Sequence, residues 1–218
     1  VFRYDTEARR VVARQSRVTV VKLAYEELLT ADMIIFNADS AAVSSGKLGS
    51  EIRDAVLQQK PAQRSLSALS WSLVASTKGF PLHHHTVFFS GDYARESEEI
   101  LQQHRLPSSP TVYVCAQDIN DQQQLPEGHP ERLFCLVNAP AVGDGTAPDS
   151  KAIEQCRQQA FALLGRCGLH IDYHDSASQI TGPEQFEQLF PGTGGALYAP
   201  ASHRWQAAAT LLAYWNHS

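Results

Sequence analysis

With 218 residues, 43% of them hydrophobic, the chain can bury a core of its own, as one large domain or one and a half small ones. A formal charge of −5, a pI near 6.0 and no basic stretch longer than Ala8-Arg9-Arg10 exclude the electrostatic footprint that nucleic acid requires. No run of about 18 apolar residues is present to span a membrane, and Val1-Phe2-Arg3-Tyr4 carries neither an initiator Met nor a signal-peptide pattern, so it reads as an internal start.

From Arg10 to Leu23 the β-branched run VVARQSRVTVVKL breaks at Arg14 to Arg17, which predicts a β-hairpin. A second apolar strand is expected at Met33 to Phe36, ending on the small polar turn Asn37-Ala38-Asp39, as after a buried strand of an α/β sheet. Gly46 to Gln63 reads as a short helix and connector. Ser65 to Ser76 then places Leu69, Trp71 and Leu73 on one face of a half-buried strand. Three further strands are expected at His84 to Ser90, Thr111 to Ala116 and Leu133 to Asn138, each short and bounded by Pro, Gly or Asp. Together they suggest a mixed or antiparallel sheet.

Helices separate these strands. Asp92 caps a predicted helix to about His104, with Glu96, Glu98 and Glu99 in early turns where the macrodipole favours anions. Lys151 to Cys167 is the clearest helix: Ile153, Cys156, Ala160, Leu163, Leu164 and Cys167 form one apolar stripe that stops at Gly168 and should lie on the sheet. Thr181-Gly-Pro-Glu184 is a capping-box pattern, with Phe186, Leu189 and Phe190 as the buried face of a short helix ended by Pro191. Trp205, Ala208, Leu212 and Trp215 share one face of a last helix, and Asp118 to Pro130 and Pro140 to Ser150 are loops. The fold class is α+β of α/β derivation, a mixed or antiparallel sheet with helices packed on one face, plus part of a further α/β domain.

Few residues look equipped for chemistry of their own. Alternation along a strand lets at most His83 and His85 of the triple histidine share a ligand, and no acid or cysteine stands at ligand spacing, so no metal is expected. The four cysteines, Cys115, Cys135, Cys156 and Cys167, lack C-x-x-C spacing and are expected as free, buried thiols of a reducing compartment. Cys115, between Val114 and Ala116, is a poor candidate nucleophile, and no G-x-S-x-G elbow supports a serine hydrolase. The glycines of Pro191 to Tyr198 allow φ > 0 and close backbone approach, but they follow a helix; composition alone favours a tight structural turn over a ligand loop. Trp71, Phe88, Phe89 and Tyr113 fit either a core or an apolar channel.

Five segments in fixed order carry a resemblance: FNAD at 36–39, PLHHHTVFFSGDY at 81–93, LPSSPTVYVCAQD at 106–118, NAP at 138–140 and FPGTGGALY at 190–198. They resemble the middle and late part of FAD-dependent carotenoid desaturases of the phytoene desaturase-like family, nearest the hydroxycarotenoid branch. The resemblance implies that a polyene is desaturated by hydride transfer to flavin, so no catalytic side chain is assigned. It implies that Val11 and Val12 lie on the adenine side, that Asn37, Ala38 and Asp39 neighbour the flavin nucleotide, and that Gly194 and Gly195 line the junction of channel and flavin ring. It implies substrate contacts from Trp71, His85, Phe88, Tyr113 and Tyr198, and a carotenoid-type partner met by a cytoplasmic protein in transient contact with a membrane surface.

On this reading residues 1–45 are the hairpin and strand of an FAD-binding domain, 46–198 a substrate-binding domain and 199–218 a helix leading back. No G-x-G-x-x-G occurs anywhere in the chain. The expectation is therefore a central fragment that neither holds FAD nor turns over alone. The alternative is a non-catalytic apolar-ligand or protein-interaction domain with a desaturase-like fold.

Overall fold

The computed structural model describes residues 2–14, 17–58, 60, 64–119 and 129–198. The expected hairpin forms as β1 (Ala8–Arg14) and β2 (Arg17–Leu23), and β3 (Leu28–Thr30) extends it to a three-stranded antiparallel sheet. Val11 is buried against Val43 and Leu48, and its N–H donates to the Leu48 carbonyl at 2.8 Å. The strand expected at Met33 to Phe36 does not form, and Met33, Ile35 and Phe36 are exposed. A strand needs a neighbour to take its backbone N–H and C=O groups, and none among the described residues pairs here. Asn37-Ala38-Asp39 instead opens α1 (Ser40–Ser44), where the Asp39 carboxylate accepts from the Ala41 N–H at 2.7 Å as an N-cap.

After a 3₁₀ turn at Ser50–Ala55 come β4 (Ser67–Gly79), β5 (His85–Phe88), β6 (Val112–Ala116), β7 (Glu131–Ala139) and β8 (Leu169–Thr181). They make one five-stranded sheet in the order β5-β6-β7-β4-β8, with every neighbouring pair antiparallel. β4 is therefore an interior strand, and β5 and β8 are edges. Opposite Val74 the register of β4 with β8 slips, and residues 174–177 bulge out.

α3 (Ser150–Arg166) lies along the sheet as the stripe predicted, burying Cys156, Ala160, Leu163 and Leu164, with the Phe161 ring edge-on to Trp71 at 5.9 Å. Cys167 departs from the stripe: it is exposed at the helix C-cap, where the chain leaves the helical path through Gly168. All four cysteines are free, but only Cys135 and Cys156 are buried, and burial pushes both thiols up to about 12.

α2 (Tyr93–Leu101) is capped by Asp92 as expected, yet Glu96 and Glu99 point inward. Glu96 accepts from the backbone N–H and hydroxyl of Thr111 at 2.9 and 2.7 Å, and Glu99 from those of Ser108 at 2.6 and 2.8 Å. These carboxylates fasten α2 to the segment that enters β6, which outweighs any surface role near the macrodipole.

α4 (Pro183–Leu189) starts one residue later than the capping-box pattern implied: Gly182 is the cap residue and its N–H donates to the Gln185 side chain at 2.9 Å. Its expected apolar face is not buried; Phe186 is half-buried and Leu189 and Phe190 are exposed, while Pro183 makes the buried contact. The helical face of Trp205 to Trp215 lies outside the described residues. No helix among the described residues is long and apolar enough to cross a membrane.

Candidate functional site

Strand alternation divides the five-stranded sheet into two unlike faces. Leu69, Trp71, Leu73 and Ala75 of β4, with Val112 and Val114 of β6 and Leu133, Cys135 and Val137 of β7, are at most 2% exposed and form the core beneath α3. The intervening residues form the opposite face. Val74 is 49% and Val87 44% exposed, and Tyr113, Cys115, Phe134 and Leu136 are half-buried. Register sets them in two rows across the strands: Val87, Tyr113, Leu136 and Ser70 in one, His85, Cys115, Phe134 and Ser72 in the next. A sheet face with this many apolar side chains and so little cover is suited to a long apolar ligand or a second layer of protein.

Ser70, which is buried, Ser72 and Arg132 lie on the β4 and β7 side of this face, and its histidines meet Tyr113 and Cys115 at the β5–β6 end. The His85 Nδ1 and the Tyr113 hydroxyl are hydrogen-bonded at 2.7 Å with their rings stacked 5.9 Å apart. His84 Nδ1 meets the Ile119 carbonyl at 2.7 Å, and its Nε2 lies 3.9 Å from the Cys115 sulfur. One nitrogen of each ring and this sulfur lie within 4.8 Å of one another. The pairing thus involves His84 and His85, whereas alternation had allowed only His83 and His85, because His84 sits in the bend before β5 begins. Burial, followed by the neighbouring Cys115 thiol, holds the Tyr113 hydroxyl above the usual phenol range.

A second group of residues meets at the glycine turn. Gly192, Gly194 and Gly195 have φ of +92°, +66° and +80°, values that glycine adopts without strain. A Cβ on Gly192 would lie 2.6 Å from the Ala41 carbonyl oxygen, and one on Gly195 2.3 Å from that of Pro183. The turn is therefore pressed between α1 and the start of α4. Its N–H groups are occupied from within: the Glu187 carboxylate accepts from Gly192 at 2.8 Å and Gly194 at 2.7 Å, and the Thr193 hydroxyl accepts from Gly195 at 3.0 Å.

Arg64 adds a bidentate pair with Asp144 at 2.8 and 2.6 Å, and this cation holds the Asp144 carboxyl below the usual carboxylate range. The pair walls a cleft of about 790 Å³ beside Leu66, Ile100 and Val142. From the turn the chain runs back along the segment that leads into β4, with the Leu197 N–H donating to the Leu66 carbonyl at 3.0 Å and the Ser65 hydroxyl to the Tyr198 carbonyl at 2.8 Å.

The residues singled out in the sequence separate accordingly. Val11, through Val43, and Asp39, as the α1 cap, belong to the α1 region on which Gly192 packs, in the same turn as Gly194 and Gly195; Val12 is half-buried, and Asn37 and Ala38 are exposed. His85 and Tyr113 lie on the open face, and Tyr198 is 62% exposed. Trp71 and Phe88 lie instead in the core, at 1% and 5% exposure, where Trp71 meets Phe161 and Phe88 meets Phe80. Both share the parity of the helix-covered face. Phe134, Leu136, Val74 and Val87 were not singled out, although alternation from the apolar members of each strand would have placed them opposite the core.

No family model matches the chain. It is 46% identical over 206 residues to the hydroxyneurosporene desaturase of Rubrivivax gelatinosus, a match that covers 94% of this chain and 39% of that protein. A protein of the same name from Cereibacter sphaeroides is 39% identical over 202 residues, 93% of this chain and 40% of its own. The 1-hydroxycarotenoid 3,4-desaturase of a Flavobacterium species is 30% identical over 151 residues, 67% of this chain and 30% of its own. The chain spans about two fifths of the length of the first two relatives.

Proposed function

We infer that this chain, which belongs to the carotenoid desaturase family, forms the substrate-facing sheet and a flavin-side segment of an FAD-dependent oxidoreductase that desaturates a carotenoid-type polyene. The observation that carries the reading is the open sheet face: Val74, Val87, Phe134 and Leu136 offer an apolar floor to a long hydrocarbon, with His85 and Tyr113 at one end. Trp71 and Phe88 stiffen that floor from beneath. Two relatives act, by name, on hydroxyneurosporene and a third on the 3,4 bond of a 1-hydroxycarotenoid, so the substrate class we propose is a hydroxylated, acyclic polyene.

When bound, FAD would supply the acceptor for the hydride removed from the polyene, with a proton lost from the neighbouring carbon. The residues here fit the flavin as a wall. Asn37 and Ala38 are exposed next to α1, on which the glycine turn packs, and Met33, Ile35 and Phe36 present an apolar segment in want of a covering layer. They do not form a phosphate cradle, since the N–H groups of Gly192, Gly194 and Gly195 are already taken by Glu187 and Thr193. What the chain itself contributes is position, an apolar sheath and exclusion of water. On its own it is proposed to hold no FAD and to turn nothing over. A substrate that resides in lipid implies transient docking at a membrane surface.

The test is to express the complete reading frame and, separately, these 218 residues. Flavin bands only in the longer protein, with a red-shifted polyene spectrum on incubation with hydroxyneurosporene in micelles, are expected. A colourless long protein that leaves the polyene spectrum unchanged would overturn the desaturase reading in favour of an apolar-ligand binding domain.

A further inference from the structure

We propose that the Tyr113–His85 pair binds the hydroxyl group of the hydroxylated polyene and makes that compound preferred over its unhydroxylated counterpart. The inference rests on the desaturase reading above and adds which residues read the polar end of the substrate.

A polyene hydrocarbon has no group with which to answer a hydrogen-bonding side chain. Where it covers a polar pair, water is stripped away and nothing replaces it, a cost that counts against hydrocarbon binding at that spot. Tyr113 and His85 stand on the open face as such a pair, 2.7 Å apart, with Tyr113 half-buried and His85 exposed. An alcohol both donates and accepts. If the phenol donates to His85 Nδ1, its oxygen accepts from the substrate hydroxyl; if Nδ1–H donates to the phenol oxygen, the phenol O–H is left to donate to the substrate. Either arrangement completes the pair with one alcohol.

The surroundings give the site a direction. Next to Tyr113 in its row is Leu136, and the adjacent row runs from Cys115 to Phe134, so the face turns apolar on leaving β6 for β7. The polyene chain would lie over Leu136 and Phe134 of β7 and on toward Val74, with its hydroxylated end at β6 and β5. His84 is turned aside to the Ile119 carbonyl at 2.7 Å and Cys115 is a weak donor, which leaves Tyr113 and His85 as the strong hydrogen-bonding groups at that end. A hydroxyl at C1 lies two carbons from a bond at C3, so this subsite would sit beside the reacting carbons.

The experiment compares hydroxyneurosporene with neurosporene on the full-length protein. The wild type should favour the hydroxylated polyene in kcat/KM by about 10- to 100-fold, the worth of one or two partly exposed hydrogen bonds. Tyr113→Phe should bring that ratio to within about threefold of unity, with the loss falling on the hydroxylated substrate; His85→Gln, which keeps a donor and an acceptor, should retain an intermediate ratio. An unchanged ratio in Tyr113→Phe, or an equal loss on both substrates, overturns the proposal. If the wild type converts neither polyene, the desaturase reading fails by itself, and quenching of protein fluorescence then decides the subsite. Tighter binding of the hydroxylated polyene that Tyr113→Phe abolishes supports it, and equal binding of the two polyenes overturns it.

Discussion

Replacing Glu187 by alanine tests whether the glycine turn is held from within or built to hold a ligand. The carboxylate takes two backbone N–H groups, those of Gly192 at 2.8 Å and Gly194 at 2.7 Å, and its own residue is half-buried. Hydrogen bonds to a charged acceptor contribute about 1.5–3 kcal/mol each, and partial exposure places these at the lower end, so their joint loss should cost about 3 kcal/mol. Glu187→Gln keeps one acceptor oxygen and turns an amide N–H₂ toward the second N–H, which should cost about half as much. In urea unfolding followed by far-ultraviolet circular dichroism, with a slope near the upper end of about 1–3 kcal/mol per molar, the midpoint of Glu187→Ala falls by about 1 M. The reasoning is refuted if Glu187→Ala unfolds within about 0.5 kcal/mol of wild type while the longer protein loses its flavin, since the turn would then be a ligand loop and the carboxylate a stand-in for an anion.

The two sheet faces predict opposite outcomes for adjacent residues. Leu73→Ala, at 2% exposure beneath α3, should cost about 2–5 kcal/mol in the same unfolding assay, and Val74→Ala, at 49% exposure, about 0.5 kcal/mol or less; equal costs would mean that the open face is packed. Gly195→Ala places a Cβ 2.3 Å from the Pro183 carbonyl oxygen at a φ of +80°, and should lose more than the roughly 1–2 kcal/mol of the left-handed conformation alone; an unchanged melting temperature would contradict the packing of the turn. For Glu99, burial pushes the carboxyl up, but the Ser108 N–H and hydroxyl, Arg95 and Arg105 outweigh it and hold it below the ordinary 4.5. A group whose folded value is depressed stabilises fully above its unfolded value, so this contribution is present above pH 4.5 and lost as pH falls through the lowered folded value. Glu99→Gln should therefore flatten the acid limb of stability against pH, and an acid limb as steep as wild type would show that Glu99 does not carry it.

What could be read in advance followed from periodicity. The hairpin, the strands around Trp71, Tyr113 and Cys135, and the α3 stripe each signal themselves within one segment, because a period of two or of 3.6 is a local property. Two failures have the same origin. Met33 to Phe36 is as apolar as a strand, but an apolar run does not provide the neighbour whose backbone would complete its ladder. β8 is the converse: LHIDYHDSASQIT is polar over most of its length and was not recognised, yet it pairs along β4 as an edge strand, where polar side chains keep an open edge soluble. Antiparallel pairing throughout, and the inward turn of Glu96 and Glu99 to Thr111 and Ser108, depend on contacts between distant segments and have no signature in either one.

For the site, composition does not assign a residue to a face of the sheet. Trp71 and Tyr113 are both aromatic residues on short strands, and composition treats them alike. Register separates them: Trp71 pairs with Cys135 and Tyr113 with Leu136, consecutive positions of β7 that point to opposite faces of the sheet. Once Leu69, Trp71 and Leu73 are taken as the inward parity of β4, Val74 must face outward, and the same rule carried through β7 and β6 puts Phe134, Leu136 and Tyr113 beside it. The open face was thus implicit in the alternation of each strand, provided that one buried residue per strand was known. His84 marks the limit of that rule, because it stands one residue before β5, where the bend turns its ring toward Cys115 and leaves His85 and Tyr113 as the paired polar groups of the face.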